Sequence, residues 1–302
     1  MARPKFWHRT LTLRNKLLIA MGMILLIVLG AIGGGVSLYV GRSEAAAWQS
    51  RQSADARQSA LVVETFIEKS RSALMLVGLL DKDDLVEHPE HLAEFLQQHP
   101  SLLEVVRFDK EGEPIAFANL DERMLGEDFP VTLSTWFQSA RNGNAYIGNI
   151  QFSSQSSPYV ILAVPGPEGG VLAARLRMEL LWDIVGDLRF TPSGKAYVID
   201  RAGYLIAHTD EETVATYNTI NGRPEYSAIM QSANHSWYGP YVNLDGERAF
   251  GASMPLAGTD WIIVTEVTRN EAYATRNTAL TVLGGGMLLF TIVVMFLSLY
   301  VL

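Results

Sequence analysis

Cysteine is absent from the 302 residues. That excludes a disulfide-stapled fold and any zinc site built on thiolates, and it permits an oxidising compartment without requiring one. Charge is missing from two long stretches, Leu17–Val40 and Thr278–Leu302. Acidic residues are missing from the first 40 positions, where Arg3, Lys5, Arg9, Arg14 and Lys16 are the only charges. G-x-S-x-G, H-E-x-x-H, the P-loop and the dinucleotide-binding glycine run are all missing too. The six histidines are scattered, none set beside a serine as a nucleophile's base would be, so this chain is not expected to be an enzyme. No cofactor and no metal are expected. Asp81-Lys82-Asp83-Asp84 lacks the spacing of a calcium loop, and His88 and His91 among Glu87, Glu90 and Glu94 read as a solvated acidic helix start.

What is present is sharply partitioned. Residues 41–277 hold 19 basic residues against all 32 acidic ones, a net −13 within a total of −8. An acidic middle argues against nucleic acid, which needs a basic stripe. The uncharged stretches 17–40 and 278–302 are each long enough to cross a bilayer. The basic residues of 1–16 place that end in the cytoplasm. The expectation is a multi-pass membrane protein with residues 41–277 outside the cytoplasm and both termini inside. Gly30 and Gly34 stand at the GxxxG spacing that lets helices pack closely.

Between the spans, Ser43–Leu80 has no proline and no glycine before Gly78. Ala56, Ala60, Val63, Ile67, Leu74 and Val77 recur at helical spacing, with Ser70 in the one gap. This is a long helix with a narrow apolar stripe, fit to pack on both following modules or on a second subunit. Residues 81–100 read as a loop with one short helix. In the region 81–190, a helix starts at Asp128-Phe129-Pro130 and buries Leu133, Trp136, Phe137 and Ala140. Strands follow at 145–152, 159–164 and 170–176, then an amphipathic connecting helix. A second module spans 191–268, with a helix near 225–232 and strands near 236–242, 247–254 and 261–267.

Two stretches tie these modules together. Lys195-Ala196-Tyr197-Val198-Ile199-Asp200-Arg201-Ala202-Gly203-Tyr204-Leu205-Ile206 reads as a hairpin whose turn opens with Asp and closes with Gly. Roughly ninety residues upstream the device recurs, with Asp109, Gly112, Ile115 and Ala116 falling on Asp200, Gly203, Ile206 and Ala207. Gln138-Ser139-Ala140 is echoed by Gln231-Ser232-Ala233, Gly148 by Gly239 and Pro165 by Pro255. Over roughly residues 43–276 the chain resembles the double Cache domain, two PAS-like modules in tandem outside the membrane of bacterial sensor proteins. The resemblance implies an α+β fold. A long N-terminal helix would carry two modules with antiparallel sheets between two transmembrane helices in the bacterial inner membrane, the modules being periplasmic.

In that family the membrane-distal module binds small molecules between its helix and the concave face of its sheet. One subgroup grips amino acids with aromatics, an arginine and two aspartates. Here Phe129, Trp136, Phe137 and Phe152 fall on the aromatic positions, while Ser134, Ser154 and Arg175 replace the arginine and the aspartates. The resemblance places the ligand site on Phe117, Phe129, Ser134, Trp136, Phe137, Tyr146, Phe152, Tyr159 and Arg175. Arg175 ends the hydrophobic run 170–174, so it must either pair with an acid such as Glu179 or face a ligand. Trp136 and Phe137 are equally readable as core. A guanidinium where an aspartate would accept an amine suggests a small carboxylate-bearing ligand.

The functional expectation is a sensing module that passes ligand occupancy to an output beyond Leu302. A histidine kinase is the first expectation, and a chemoreceptor or diguanylate cyclase is also compatible. The expected partners are a small molecule, the membrane and a second copy of the chain as a homodimer. The competing class is a membrane-anchored interaction protein whose acidic outer domain docks a partner protein.

Overall fold

The computed structural model describes residues 13–120, 125–126, 130–152, 158–216 and 219–301. Two compact units divide the chain, one running from Arg51 to Arg269 and the other made of the residues on either side. A single helix, α1 (Leu13–Val77), enters both. In the terminal unit, among the described residues, Asn277–Val294 is the one helical segment long and apolar enough to cross a membrane. It lies in the last helix, whereas Leu17–Val40 forms part of α1. The close approach there involves neither glycine of the GxxxG pair. A Cβ on Gly33 would sit 3.7 Å from the Met287 sulfur, and one on Gly30 or Gly34 would meet nothing within 4 Å.

In the larger unit α1 buries the anticipated stripe: Ala56, Ala60, Val63, Ile67, Leu74 and Val77 are all buried. Ser70 fills the gap and its hydroxyl donates to that of Ser101 at 3.2 Å. The acidic stretch that follows holds two helices rather than one, α2 (Lys82–Glu87) and α3 (Glu90–Gln98). Asp81 caps the first by accepting the amides of Asp83 and Asp84. The second buries Leu92 and Leu96 despite its charged sequence.

The first module then forms β1 (Leu102–Phe108), β2 (Pro114–Asn119), α4 (Thr135–Arg141), β3 (Tyr146–Ile147), β4 (Gln151–Phe152), β5 (Pro158–Pro165) and β6 (Val171–Arg177). The run 145–152 thus gives two short strands instead of one. The helix begins later than its sequence suggests. Pro130 opens a 3-10 turn at Val131–Leu133, Ser134 caps α4, and Leu133 is left 75% exposed. A connecting helix, α5 (Met178–Gly186), leads to the second module. That module holds β7 (Lys195–Asp200), β8 (Leu205–His208), α6 (Glu211–Thr216), α7 (Pro224–Gln231), β9 (Tyr238–Val242), β10 (Arg248–Pro255) and β11 (Trp261–Thr268). Two further helices, α8 (Arg269–Ala272) and α9 (Ala274–Val301), end the described chain.

Both sheets are antiparallel with matching order, β2-β1-β6-β5-β3 and β8-β7-β11-β10-β9, and β4 also pairs with β5. One hydrophobic core runs under both. It joins Ala60, Val63 and Leu74 of α1 to Val105, Leu162 and Ala174 of the first sheet and to Ala196, Val198 and Ile263 of the second. The opposite faces carry separate cores, under α4 in the first module and under α7 in the second. With both faces covered, β5, β6 and β11 are buried nearly end to end. This is why they read as unbroken apolar runs rather than as alternation.

The repeated hairpin turns match bond for bond. The amide of Gly112 donates to the Asp109 carbonyl at 3.2 Å, and that of Gly203 to the Asp200 carbonyl at 3.0 Å. Each Asp carboxylate accepts the amide after the glycine, Glu113 or Tyr204, at 2.8 Å. A third copy, Asn243-Leu244-Asp245-Gly246, joins β9 to β10 with Asn243 accepting from Glu247 at 2.9 Å. The three glycines stand at φ 88°, 87° and 81°, where a Cβ is strained.

Gly203→Ala should cost more than the ~1–2 kcal/mol of positive-φ strain. The new Cβ would also lie 3.0 Å from the Tyr226 ring and 3.1 Å from the Asn221 amide. Gly222→Ala, also at φ 87° but with open space around it, should lose only the backbone component. Denaturation of the full chain in detergent compares the two. Equal losses would remove the Tyr226 and Asn221 contacts from the account.

Candidate ligand site on the first module

Cross-strand register puts most of the anticipated site residues on one face. Glu104 pairs with Asn119 and Arg175, and Val106 pairs with Phe117 and Ala173. Arg175 also faces Ile161, two residues from Tyr159 on the same strand face, and Ala163 faces Tyr146. Side chains alternate along a strand, so Phe117, Tyr146, Tyr159, Arg175 and Glu104 share the face that α4 covers.

At one end this face is filled by aromatic packing. Phe108, Trp136 and Phe137 form a triangle with centroid separations of 5.7, 6.2 and 5.9 Å. They are closed in by Val131, Ala140 and Val171, with Phe137 fully buried and Trp136 4% exposed. Both residues therefore belong to the core. Among the described residues the Trp136 indole Nε1–H nevertheless has no acceptor, which is costly for a buried donor. Tyr146 and Tyr159 pack against this cluster half-buried, and Phe117 on the edge strand β2 is 49% exposed.

Toward the other end the face is polar. Arg175, 5% exposed, places Nε 2.5 Å from the carboxylate of fully buried Glu104. Its guanidinium stands over the Tyr159 ring at 5.2 Å, and Tyr159 donates its hydroxyl to Gln151 at 3.1 Å. The other Glu104 oxygen accepts the Leu125 amide at 2.8 Å, pinning the chain that returns from β2 toward α4. The partner of Arg175 is thus the cross-strand Glu104 and not the sequence neighbour Glu179.

Ser134, at the position of the family's arginine, is used locally. Its hydroxyl accepts the Phe137 amide at 3.3 Å and donates to the Val131 carbonyl at 2.6 Å, capping α4. Phe129 and Ser154 lie outside the described residues, and Phe152 is described only as part of β4. Leu125 and Glu104 were missed by sequence reasoning. Glu104 was detectable, since an acid inside the apolar run 102–108 needs a partner.

Arg175→Met alone leaves a buried carboxylate uncompensated and should cost about 3–5 kcal/mol. Adding Glu104→Leu should restore most of that stability. Urea denaturation of the full chain reads both variants. A double variant as unstable as the single one would show that the pair is not what Arg175 supports.

The Cache domain family matches residues 43–276. Solved structures repeat the fold. The sensory domain of the Campylobacter jejuni chemoreceptor Tlp3 (CcmL) aligns at TM-score 0.59 and 15% identity, covering 76% of this chain and 97% of its own. The ligand-binding domain of the Pseudomonas aeruginosa PAO1 amino acid chemoreceptor PctB, solved with L-Arg, gives TM-score 0.56 and 17% identity over 77% and 92%. The extracellular domain of the histidine kinase candidate soHK1S-Z6 gives 0.56 and 18% over 77% and 98%. Two modules of one strand order on a shared helix, together with a match over most of its length, make this chain a member of the Cache domain family.

Proposed function

We propose that the chain is the extracytoplasmic sensing part of a bacterial transmembrane receptor, taking a small polar molecule on the α4 face of its first module. The observation that carries this is the gathering of Phe117, Tyr146, Tyr159 and Arg175 on one sheet face under Trp136 of α4, whose indole N–H has no acceptor among the described residues. A binding module is the class this supports: aromatic walls hold apolar surface, and a few polar groups fix orientation. The ligand-binding domains of Tlp3 and PctB have been solved with L-valine and L-Arg bound, so amino acids and small carboxylates are the first compounds to screen. Output through a histidine kinase, chemoreceptor or cyclase fits the reading equally.

Two spans, 17–40 and 278–302, anchor the chain, the second overlapping the segment Asn277–Val294 that is long and apolar enough to cross a membrane. It works as a homodimer. Leu61, Val62, Met75 and Leu76 are exposed on α1 and Leu79 just beyond its end, apolar surface that a second copy would cover.

Reporter fusions at residue 200 and after Leu302 should report opposite sides of the membrane. The same side for both would end the topology proposed. For the site, Phe117→Ala is the informative variant, because a half-exposed edge residue contributes little to the fold. In full-length protein in lipid nanodiscs, a compound that raises the melting temperature of the parent should do so less in Phe117→Ala. An undiminished shift in that variant would move the ligand off this face.

A further inference from the structure

The two modules place opposite charges at the same spot. The offset that carries Asp109 onto Asp200 carries Glu104 onto Lys195 and Arg175 onto Glu266. The ladders agree: Glu104 faces Arg175 across β1–β6, and Lys195 faces Glu266 across β7–β11. In the first pair the two charges meet, with Arg175 Nε 2.5 Å from the Glu104 carboxylate. In the second they do not. Lys195 turns its ammonium to Asp210 at 2.7 Å and Asp245 at 2.6 Å. No Lys or Arg among the described residues forms an ion pair with Glu266, which is 5% exposed.

Neutral donors hold this carboxylate instead. The Tyr241 hydroxyl donates to one oxygen and Asn243 Nδ2 donates to the other at 2.9 Å. Behind Tyr241 lies the buried hydroxyl of Tyr197, which also feels Glu225 and Arg223 at the start of α7. Arg223 pairs with Glu225 and donates to the Val242 and Asn243 carbonyls at 2.9 Å each. The titratable and polar residues facing Glu266 are therefore Lys195 and Tyr197 from β7, Tyr241 from β9, and Asn243 and Asp245 from the turn, with Arg223 and Glu225 at the start of α7 behind Tyr197. From β10, Gly251 and Ala249 bring no charge. His208 on β8 stacks on Tyr197 at 5.9 Å, and burial lowers its affinity for a proton; among the described residues the cations nearby are Lys195, already shared by two aspartates, and Arg223, held by Glu225.

We propose that Glu266 is a proton-binding site through which the second module responds to the pH of its surroundings, the β9–β10 turn and the end of β11 being held differently when it is neutral. Ionised, the carboxylate grips Tyr241 and Asn243, and through Asn243 the turn to which Arg223 ties α7. Neutral, it accepts those hydrogen bonds more weakly, and Lys195 loses a neighbouring negative charge. Burial raises the affinity of Glu266 for its proton, the hydrogen bonds from Tyr241 and Asn243 and the charge of Lys195 oppose that, and Asp245 adds to it. The net shift is upward from the ordinary carboxylate range. That the surroundings are external to the cell rests on the proposed topology. The proton site itself does not, so reporter fusions can reverse the sidedness and leave the titration standing.

The sign of the linkage sets the test. A carboxyl whose affinity for protons is raised by folding contributes full stability below its unfolded pKa, and that contribution is lost as pH rises through the folded one. Full-length protein in lipid nanodiscs is melted between about pH 5 and about pH 8, alongside Glu266→Gln. The variant should melt higher than the parent at the alkaline end, with the gain vanishing at the acid end. Tyr241→Phe removes a donor to the ionised form and should move the parent's transition to higher pH. Hydrogen exchange at the Gly246 and Glu247 amides, corrected for intrinsic pH dependence, should change across the transition in the parent and stay constant in Glu266→Gln. Parallel melting profiles for parent and Glu266→Gln, an unmoved transition in Tyr241→Phe, or identical exchange changes in both proteins would overturn the proposal.

Discussion

Both sheets bury one face on the same helix, and the rest of the larger unit follows from that. The stripe from Ala56 to Val77 meets the first sheet through Val105 and Leu162 and the second through Ala196 and Ile263, in one continuous core. α4 and α7 then cover the far faces, so the central strands have no solvated side. In such strands a polar residue must be answered inside the protein. Arg107 donates to the Leu80 carbonyl at 2.8 Å, Thr265 to the Gln52 carbonyl at 3.4 Å, and Arg175 pairs with Glu104. Chemistry in this domain is concentrated where charge interrupts apolar strand.

Much of this was legible in the sequence. The D-x-x-G turns were identified by spacing, because glycine at positive φ and an aspartate accepting a nearby amide are local requirements. The stripe of α1 was legible because its period is local too. Arg175 was recognised as needing a partner, yet Glu179 was the acid suggested for it. The real partner lies across the sheet, and cross-strand register depends on tertiary pairing. The helices at 82–98 and 211–216 were obscured for a related reason. Their sequences are acidic and short, and α3 is supported by burying Leu92 and Leu96 rather than by propensity. Ser134, expected at the ligand site, has its hydroxyl engaged as the cap of α4, a local use that the spacing before a helix start could have shown.

The internal repeat held a signal that sequence reasoning did not use. It superposes Glu104–Arg175 on Lys195–Glu266 and shows the charges exchanged. Duplicated modules keep strand order because the shared core demands it. A lateral charge pair on the α4 or α7 face is free to diverge once each module answers its charge differently. The first module seals its pair with a stacked tyrosine. The second diverts its lysine to Asp210 and Asp245, leaving tyrosine and asparagine to serve the acid.

The position of that pair in the chain gives it mechanical weight. β6 ends at Arg177 and α5 begins at Met178; β11 ends at Thr268 and α8 begins at Arg269. In both modules the charged residue stands three positions before the helix, in the central strand of the sheet, with no loop between. A loop would absorb a small displacement, whereas a strand running straight into a helix passes it on. Downstream of the first module, α5 is tied to the second sheet by the Trp182 indole donating to the Ile206 carbonyl at 2.8 Å. Downstream of the second, α8 is followed by α9, which holds the apolar segment Asn277–Val294. A change in how Arg175 or Glu266 is held therefore acts at the start of a helix, α5 in the first module and α8 in the second.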